Sequence, residues 1–235
     1  DSGIFIGEYY NLMGKIIHTA ICMMAFIIIS GCLSSTPPDT HGSEIDENQT
    51  ETRNYQGAEL TPIDQQQTRD IKVTPNINID SYRLQINGLV KKPVNLTYEQ
   101  IQSYPNVSKA IDLNCVEGWS FTAKWTGVPL ETLFNETGIK ENATNVIFYS
   151  ADGYSTSMEL DYLLDNNIIL AYKINDVTLP DDRGFPLQLI AESKYGYKWA
   201  KWITEIEVTD KEFRGYWERR GYNNNADVSG PAFER

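Results

Sequence analysis

The residue best suited to chemistry in this chain is Cys115, because the other two cysteines, Cys22 and Cys32, lie in an apolar region near the N-terminus. An isolated cysteine near the end of a strand is often only a small buried apolar residue. Here the flanking residues are polar, and Gly118 predicts a tight turn where the strand ends. We therefore favour a thiol beside a pocket, with the aromatic ring of Trp119 as one wall.

A second cluster, between positions 192 and 202, interleaves three lysines with four aromatic residues and a glycine. Lysines can hold a phosphate, aromatic rings can stack on a flat heterocycle, and glycine lets a ligand approach the backbone closely. The same composition also fits a solvated amphipathic strand with its aromatic side chains in the core, and the residues alone leave both interpretations open. The candidate ligand contacts are Lys194, Tyr195, Gly196, Tyr197, Lys198 and Lys201.

The composition excludes several classes of site from the folded region. Both histidines, His18 and His41, lie near the N-terminus. A Ser–His or Cys–His nucleophile pair needs an imidazole base, and ordinary zinc and haem sites usually need histidine or several cysteines. The formal net charge of −12 and the lack of a basic face argue against a nucleic-acid partner. Glycine patterns of the dinucleotide or P-loop type do not occur.

Five segments, in the same order, resemble the molybdopterin-binding domain of the sulfite oxidase family, over about residues 82–228. Residues 115–120, Cys-Val-Glu-Gly-Trp-Ser, are similar to the Cys-Val-Glu-Ala-Trp-Ser of periplasmic methionine sulfoxide reductase catalytic subunits. Residues 194–198, Lys-Tyr-Gly-Tyr-Lys, resemble the Lys-Tyr-Gly-Phe-Lys of the same enzymes. The other landmarks are Leu-Ala-Tyr at 170–172, Gly-Phe-Pro-Leu at 184–187, and Trp-Glu-Arg-Arg-Gly-Tyr at 217–222, which resembles the Trp-Gln-Arg-Arg-Asp-Tyr of animal sulfite oxidases.

This resemblance implies a molybdenum–molybdopterin cofactor, or its tungsten analogue, with Cys115 as the protein ligand of the metal. A soft thiolate suits a metal whose other sulfur ligands come from the pterin, and such a cofactor carries the redox chemistry itself. Tyr154 lies where the family places an active-site tyrosine, which implies substrate contact or proton donation; the alternative is a strand-edge aromatic without such a role. Further cofactor contacts are expected, besides the lysine-rich cluster, from Asn114, Trp119, Ser120 and Arg183.

Departures from the family pattern bear on the substrate. Residues 116–120 lack the arginines that follow the cysteine in sulfite oxidases and suit an anionic substrate. Gln188 replaces the usual arginine after Gly-X-Pro-X, and Arg183 replaces the sulfite oxidases' histidine before Gly-Phe-Pro. We therefore expect oxygen-atom transfer from small-molecule or protein-bound S- or N-oxides, such as methionine sulfoxide. A sulfite oxidase-like enzyme and a non-catalytic surface lipoprotein that retains the fold are the alternatives.

The elements that must position these residues are mostly short strands. With 41% hydrophobic residues, the chain can bury a core, and its patterns predict a mainly β, α+β domain over residues 73–235, with mixed sheets and short helices. A capping box at Thr97 and Gln100 predicts a short helix before Pro105. A second helix is predicted over 130–137, closed by Gly138. Strands are predicted at 82–86, 107–116, 146–149, 155–160, 168–174, 186–191 and 203–208.

The N-terminal region predicts export. Residues 16–29 are mostly apolar, and they are too few to span a bilayer comfortably. The sequence that follows, ending at Cys32, resembles a lipobox, so we interpret 1–32 as a signal and lipoprotein anchor segment; an uncleaved anchor helix is the alternative. Residues 1–12, before Met13, are interpreted as a start-site artefact. Residues 33–72 are polar and predict a flexible acidic linker.

These features predict a membrane-anchored lipoprotein at the cell surface. Since no haem domain is evident in the sequence, we expect the electrons to pass to or from a separate membrane or soluble carrier.

Overall fold

The computed structural model describes residues 49–234, so the predicted anchor segment at 1–32 lies outside the described residues. Twelve strands in chain order are β1 Asn54–Tyr55, β2 Ala58–Glu59, β3 Leu84–Gly88, β4 Val94–Leu96, β5 Val107–Asn114, β6 Ser120–Pro129, β7 Asn145–Ser150, β8 Ser155–Glu159, β9 Ile169–Ile174, β10 Val177–Thr178, β11 Gln188–Ile190 and β12 Ile203–Thr209. Three α-helices are α1 Tyr98–Ser103, α2 Leu130–Thr137 and α3 Leu160–Asp165. None of the helices in this part of the chain is long and apolar enough to cross a membrane.

The strands form two five-stranded sheets and one small hairpin of β1 and β2. The first sheet has the order β10-β9-β6-β5, and β11 also pairs with β9; all of its pairs are antiparallel. The second sheet has the order β4-β3-β12-β7-β8, and it is mixed because β3 and β12 run parallel. The prediction of a mainly β, α+β fold with mixed sheets and short helices is confirmed.

Both sheets contribute to one continuous core. In β3, Leu84 and Ile86 are fully buried while Gln85 between them is exposed, which is the period of two expected for a strand with one buried face. In β6, Trp125 is 1% exposed and its ring meets that of Trp199 edge to face at a centroid distance of 5.7 Å. The middle of β6 is thereby fixed to the segment that follows β11.

The helix signals in the sequence were accurate. Thr97 Oγ1 accepts a hydrogen bond from the Gln100 amide at 3.1 Å, and Gln100 Oε1 accepts one from the Thr97 amide at 2.8 Å. The predicted capping box at the start of α1 is confirmed. At the end of α2, Gly138 has a φ of +67° and its amide donates to the Phe134 carbonyl at 2.8 Å.

The secondary structure differs from the predictions in several places. Strands β4, β6 and β10 and helix α3 were not predicted, and the strand expected over 155–160 ends at Glu159, directly before α3. The amphipathic strand considered for 194–201 is instead a loop with a 3₁₀ turn at Gly196–Lys198. The three lysines of this segment contact different parts of the fold, because Lys194 pairs with Asp227, Lys198 with Glu218 and Lys201 with Asp70.

Residues 49–72 also differ from the flexible linker expected there. Leu60 is 2% exposed, and the Thr61 amide donates to the Thr122 carbonyl at 2.8 Å. The Ile63 amide donates to Glu51 Oε1 at 2.8 Å. Composition suggested disorder because the segment has few large apolar residues, but hydrogen bonds to the domain satisfy much of its polar backbone. We refer to residues 61–72 as the strap.

We predict that Gly127→Ala destabilises the fold strongly. A Cβ atom at this position would lie 2.0 Å from the Leu170 carbonyl oxygen, at the irregular step where β6 and β9 shift register. Backbone atoms cannot move aside as a side-chain end does, so we expect a loss of about 3 kcal/mol in the free energy of unfolding, measured in urea. Gly230→Ala is the control, because its Cβ would meet its nearest atom at an ordinary 3.4 Å. Equal stability of the two variants would contradict the prediction.

Candidate active site

A cavity of about 350 Å³ opens beside the turn that joins β5 and β6. Four loop regions outside that turn complete its wall: the strap, the β7–β8 turn, residues 196–202 and residues 217–222. Its volume and largely aromatic lining are typical of small-molecule sites. The lining aromatic residues are Trp119, Phe121, Trp125, Tyr154, Tyr197, Trp199, Trp202, Trp217 and Tyr222.

Cys115 lies half-buried in the wall of this cavity, in the turn directly after β5. The turn is closed by two backbone bonds, from the Cys115 amide to the Trp119 carbonyl at 2.9 Å and from the Gly118 amide to the Cys115 carbonyl at 3.0 Å. Gly118 has a φ of +90°, a conformation that favours glycine. Burial raises the pKa of the Cys115 thiol above its ordinary value. The turn thus presents a protonated thiol whose proton a metal would displace.

The structure brings together seven of the predicted site residues. The cavity is lined by Cys115, Trp119, Tyr154, Arg183, Gly196, Tyr197 and Lys201. Five predicted residues do not line it, namely Asn114, Ser120, Lys194, Tyr195 and Lys198. Asn114 and Ser120 pair with each other across β5 and β6, and Tyr195 forms a parallel bridge with Asn114. Asn114, Ser120 and Tyr195 therefore contribute to the site through the backbone pairing beside Cys115 and Gly196.

Tyr154 is buried at the cavity, and its hydroxyl donates a hydrogen bond to the Tyr197 carbonyl. Burial raises the pKa of Tyr154 well above its ordinary value, with the negative charge of Glu218 adding to the effect. The hydroxyl therefore keeps its proton at neutral pH. To donate that proton to a substrate, the side chain would have to leave its bond to the Tyr197 carbonyl.

Lys198 does not line the cavity. The side chain is completely buried, and Nζ contacts Glu218 Oε1 at 2.6 Å and the Ser157 carbonyl at 2.9 Å. Burial lowers the pKa of Lys198, and the attraction of Glu218 opposes part of this change. Thr156 Oγ1 also donates to Glu218 Oε1, at 2.6 Å. Lys198 thus joins the 3₁₀ turn to the segment that carries Trp217.

Lys194 is likewise held within the fold. Its Nζ contacts Asp227 Oδ1 at 2.6 Å and Asn225 Oδ1 at 2.7 Å, and it lies over the ring of Tyr162. Lys194 and Lys198 therefore attach the loop that begins after β11 to the C-terminal segment. The interpretation of both residues as phosphate contacts depended on composition, which cannot show that each lysine has a carboxylate partner distant in sequence.

Lys201 and Arg183 lie at the cavity, but their polar groups are turned to the strap. Lys201 Nζ pairs with the carboxylate of Asp70 and donates to Thr68 Oγ1 at 2.8 Å. Arg183 donates to three strap carbonyls, which belong to Ile63, Gln66 and Gln67. Burial lowers the pKa of Arg183 from its ordinary value, and an arginine guanidinium stays protonated in proteins.

The strap itself is the part of the site that sequence reasoning missed. Residues 67–71 line the cavity, and Arg69 contacts Glu117 in the Cys115 turn. The basic residues Arg69 and Lys72, at the end of a mostly acidic linker sequence, were the available signal, and it is a weak one. Gln188 was recognised only as a departure from the family pattern, yet its buried side chain also lines the cavity.

The residues present fit a flat metal cofactor held by a thiolate. Two polar atoms in residues that line the cavity are buried without a hydrogen-bond partner, the donor Arg183 Nε and the acceptor Gln188 Oε1. The nearest carboxylate oxygen to Arg183 Nε, on Asp182, is 3.8 Å away, beyond hydrogen-bond distance. Buried polar groups normally have a hydrogen-bond partner, and an ordered water can supply one for each of these atoms. The thiol and the aromatic walls suit the metal and the pterin of molybdopterin.

We predict that Lys198→Met destabilises the cofactor-free chain by about 3–5 kcal/mol, because Glu218 would remain as a buried, uncompensated charge. Lys198→Met combined with Glu218→Gln should restore part of that loss. Chemical unfolding measures the effect, and Lys92→Met, at an exposed lysine, is the control. A lysine that served only to bind cofactor would leave the stability of the cofactor-free chain unchanged, and that result would contradict the prediction.

Comparison with known proteins is consistent with this geometry. Residues 71–217 match the family model described as the oxidoreductase molybdopterin binding domain. The chain is 34% identical over 151 residues to "Uncharacterized oxidoreductase YuiH" of Bacillus subtilis. This match covers 64% of this chain and 76% of that protein. It is 37% identical over 147 residues to "Putative protein-methionine-sulfoxide reductase subunit YedZ1" of Azospira oryzae, covering 63% of this chain but only 56% of that protein.

The fold has a solved counterpart. The crystal structure of the sulfane dehydrogenase SoxCD from Paracoccus pantotrophus superposes with a TM-score of 0.58 at 24% identity, over 63% of this chain and 42% of that one. This likeness supports the sulfite oxidase-type fold alone. The family match covers both sheets and the Cys115 turn, and from it we conclude that the chain belongs to the molybdopterin-binding oxidoreductases of the sulfite oxidase family.

Proposed function

We propose that this protein is an exported, membrane-tethered molybdenum–pterin enzyme that removes an oxygen atom from S- or N-oxides such as methionine sulfoxide. The observation that carries the proposal is the thiol of Cys115 in the wall of an aromatic cavity, in a chain of the molybdopterin family. When bound, the cofactor supplies a metal that can exchange an oxygen atom and two electrons with a substrate.

The residues that line the cavity would bind the cofactor, exclude water and contact the substrate. Cys115 would hold the metal, and the side chain of Gln188 lies at the cavity, beside the space for the pterin portion. The aromatic side chains exclude water from the space beside the thiol. Tyr154 is the candidate for substrate contact, since its hydroxyl remains protonated at neutral pH.

The charges around the cavity favour a neutral substrate over sulfite. Arg69 contacts Glu117 at 2.9 Å, and Lys201 pairs with Asp70. The guanidinium of Arg183 donates to backbone carbonyls of the strap. An anion entering the cavity would therefore compete with existing partners of these cations and meet two carboxylates. A neutral oxide does not meet this obstacle, and aromatic walls suit its apolar remainder.

Location and electron supply belong to the same proposal. The apolar residues 16–29 followed by Cys32 support export and a lipid anchor. The name of the relative from Azospira oryzae describes a subunit, which supports a separate membrane or soluble protein as electron carrier. Reduction of the substrate consumes two electrons and two protons per oxygen atom released as water. Tungsten in place of molybdenum remains an alternative for the same thiolate ligand.

We predict that Cys115→Ser abolishes turnover of methionine sulfoxide, by about a hundredfold or more, and lowers the metal content of the purified protein. Loss of groups that merely orient a metal ligand typically costs 10–100-fold in metal affinity or activity, so loss of the ligand should cost at least as much. Metal analysis and a reductase assay with an artificial electron donor provide the measurements.

The control is Cys22→Ser, which removes a thiol outside the predicted domain. Unchanged metal content and turnover in Cys115→Ser would refute the metal-ligand assignment. Comparing methionine sulfoxide with sulfite in the parent protein tests the substrate class. Faster turnover of sulfite would favour the sulfite oxidase-like alternative, and a parent protein from its native host without metal and pterin would favour a non-catalytic lipoprotein.

We predict that Cys32→Ala prevents lipid attachment and moves the protein from the membrane fraction to the soluble fraction, or leaves its precursor unprocessed. The matched control is Cys22→Ala, a second cysteine of the same apolar region. Mass spectrometry of the mature N-terminus in the native host provides the measurement. An intact, unmodified N-terminus that begins at Met13 would contradict the anchor proposal.

A further inference from the structure

Polar side-chain contacts join the strap to the rest of the domain at three places along its length. At its far end, Lys72 Nζ donates to the Asp152 carbonyl at 2.7 Å, in the turn between β7 and β8. In its middle, Asp70 and Thr68 contact Lys201. Near its start, the carbonyls accept from Arg183. Three cations therefore fix one polar segment.

Arg183 and the strap hold each other in place through hydrogen bonds. Arg183 is only 6% exposed, and its Nη1 contacts the Gln67 carbonyl at 2.9 Å while Nη2 contacts the carbonyls of Ile63, at 3.3 Å, and Gln66. A buried guanidinium is costly unless its donors are used. Here all of its recorded hydrogen bonds go to the strap, so the strap cannot leave without exposing unsatisfied groups on both sides.

The strap in turn contacts the turn that carries Cys115. Arg69 and Glu117 form a forked pair, with Nε to Oε1 at 3.2 Å and Nη2 to Oε2 at 2.9 Å. Glu117 Oε2 also accepts from Trp119 Nε1 at 2.9 Å. An isolated exposed ion pair contributes little, but a forked pair that shares a third donor has a defined geometry. Glu117 is the central residue of this network and lies two positions after Cys115.

We propose that Arg183 and Lys201 are positioning residues that act through the strap. They hold Arg69 where it fixes Glu117, and thereby fix the turn that presents Cys115 to the cavity. Their main role is then attachment of the strap rather than direct contact with the anionic tail of the cofactor. The effect on the metal rests on the proposed ligand role of Cys115, whereas the attachment of the strap does not.

Limited trypsin digestion of the full chain tests the attachment. Arg183→Met and Arg183→Lys should both accelerate cleavage after Arg69 and Lys72 at least tenfold, because an ammonium cannot reproduce the planar fork that serves three carbonyls. The control, Arg83→Met, removes an exposed arginine that donates to the carbonyls of Asp80 and Tyr82, away from the cavity, and should leave cleavage unchanged. If the Arg183 variants do not fold, Lys201→Met tests the second anchor, with an increase of at least threefold expected.

Pterin retention after dialysis separates attachment from direct contact. A strap that opens in both Arg183 variants, with pterin lost from both, supports the proposal. Unchanged cleavage in both variants, with pterin retained by Arg183→Lys and lost from Arg183→Met, would overturn it and assign Arg183 to the cofactor through its charge. The same digestion of cofactor-free protein should give the same order of cleavage rates.

The paramagnetic resonance spectrum of the metal tests the link to Cys115. Arg69→Met and Glu117→Gln should shift the spectrum in the same way, and the double variant should shift it no further, since each change breaks the same pair. Additive shifts, or none, would overturn the link. If Cys115→Ser leaves the metal unchanged while the Arg183 variants open the strap, the ligand assignment fails and the attachment stands.

Discussion

The cavity depends on the completely buried ion pair between Lys198 and Glu218. Removing two charges from water is unfavourable, and the pair is tolerated because the Ser157 carbonyl and Thr156 Oγ1 supply further hydrogen bonds. The reason that this pair matters is topological. It joins a loop that leaves the first sheet to residues near the C-terminal end of the described chain, and Trp217 and Tyr222 of that region form one wall. A hydrophobic contact could supply similar stability, but a buried charge accepts very few alternative partners.

The part of the cavity wall that the strap forms is also held by charged groups, but by a different set. The strap contains few large apolar residues, and it is held by donors from Arg183 and Lys201. The apolar interior of the two sheets thus provides the frame, while polar contacts attach the loops that shape the site. The two kinds of contact respond differently to solution conditions. Salt screens the exposed pair of Arg69 and Glu117, whereas it has little influence on the buried pair of Lys198.

The sequence was sufficient to predict most strands of the two sheets and to single out the thiol of Cys115. Alternation, capping residues and turn glycines identified most strands and two helices, because such signals are local. Cys115, Trp119 and Tyr154, which the family resemblance singled out, all line the cavity. The roles of the lysines were harder, since composition shows a charge but not its partner. The strap was missed because its order comes from contacts with residues more than a hundred positions away, such as Arg183 with Gln66.

The separation of the two walls along the chain has a consequence for biosynthesis. Residues 67–71 of the strap are translated about 150 residues before Trp217 and Tyr222, which line the same cavity. On a ribosome, the early wall exists while the later one has yet to be made, and the Glu218 partner of Lys198 is also missing. A nascent chain therefore has no enclosed pocket to close around a large organic molecule. The lining of the cavity is therefore complete only after nearly the whole described domain has been translated.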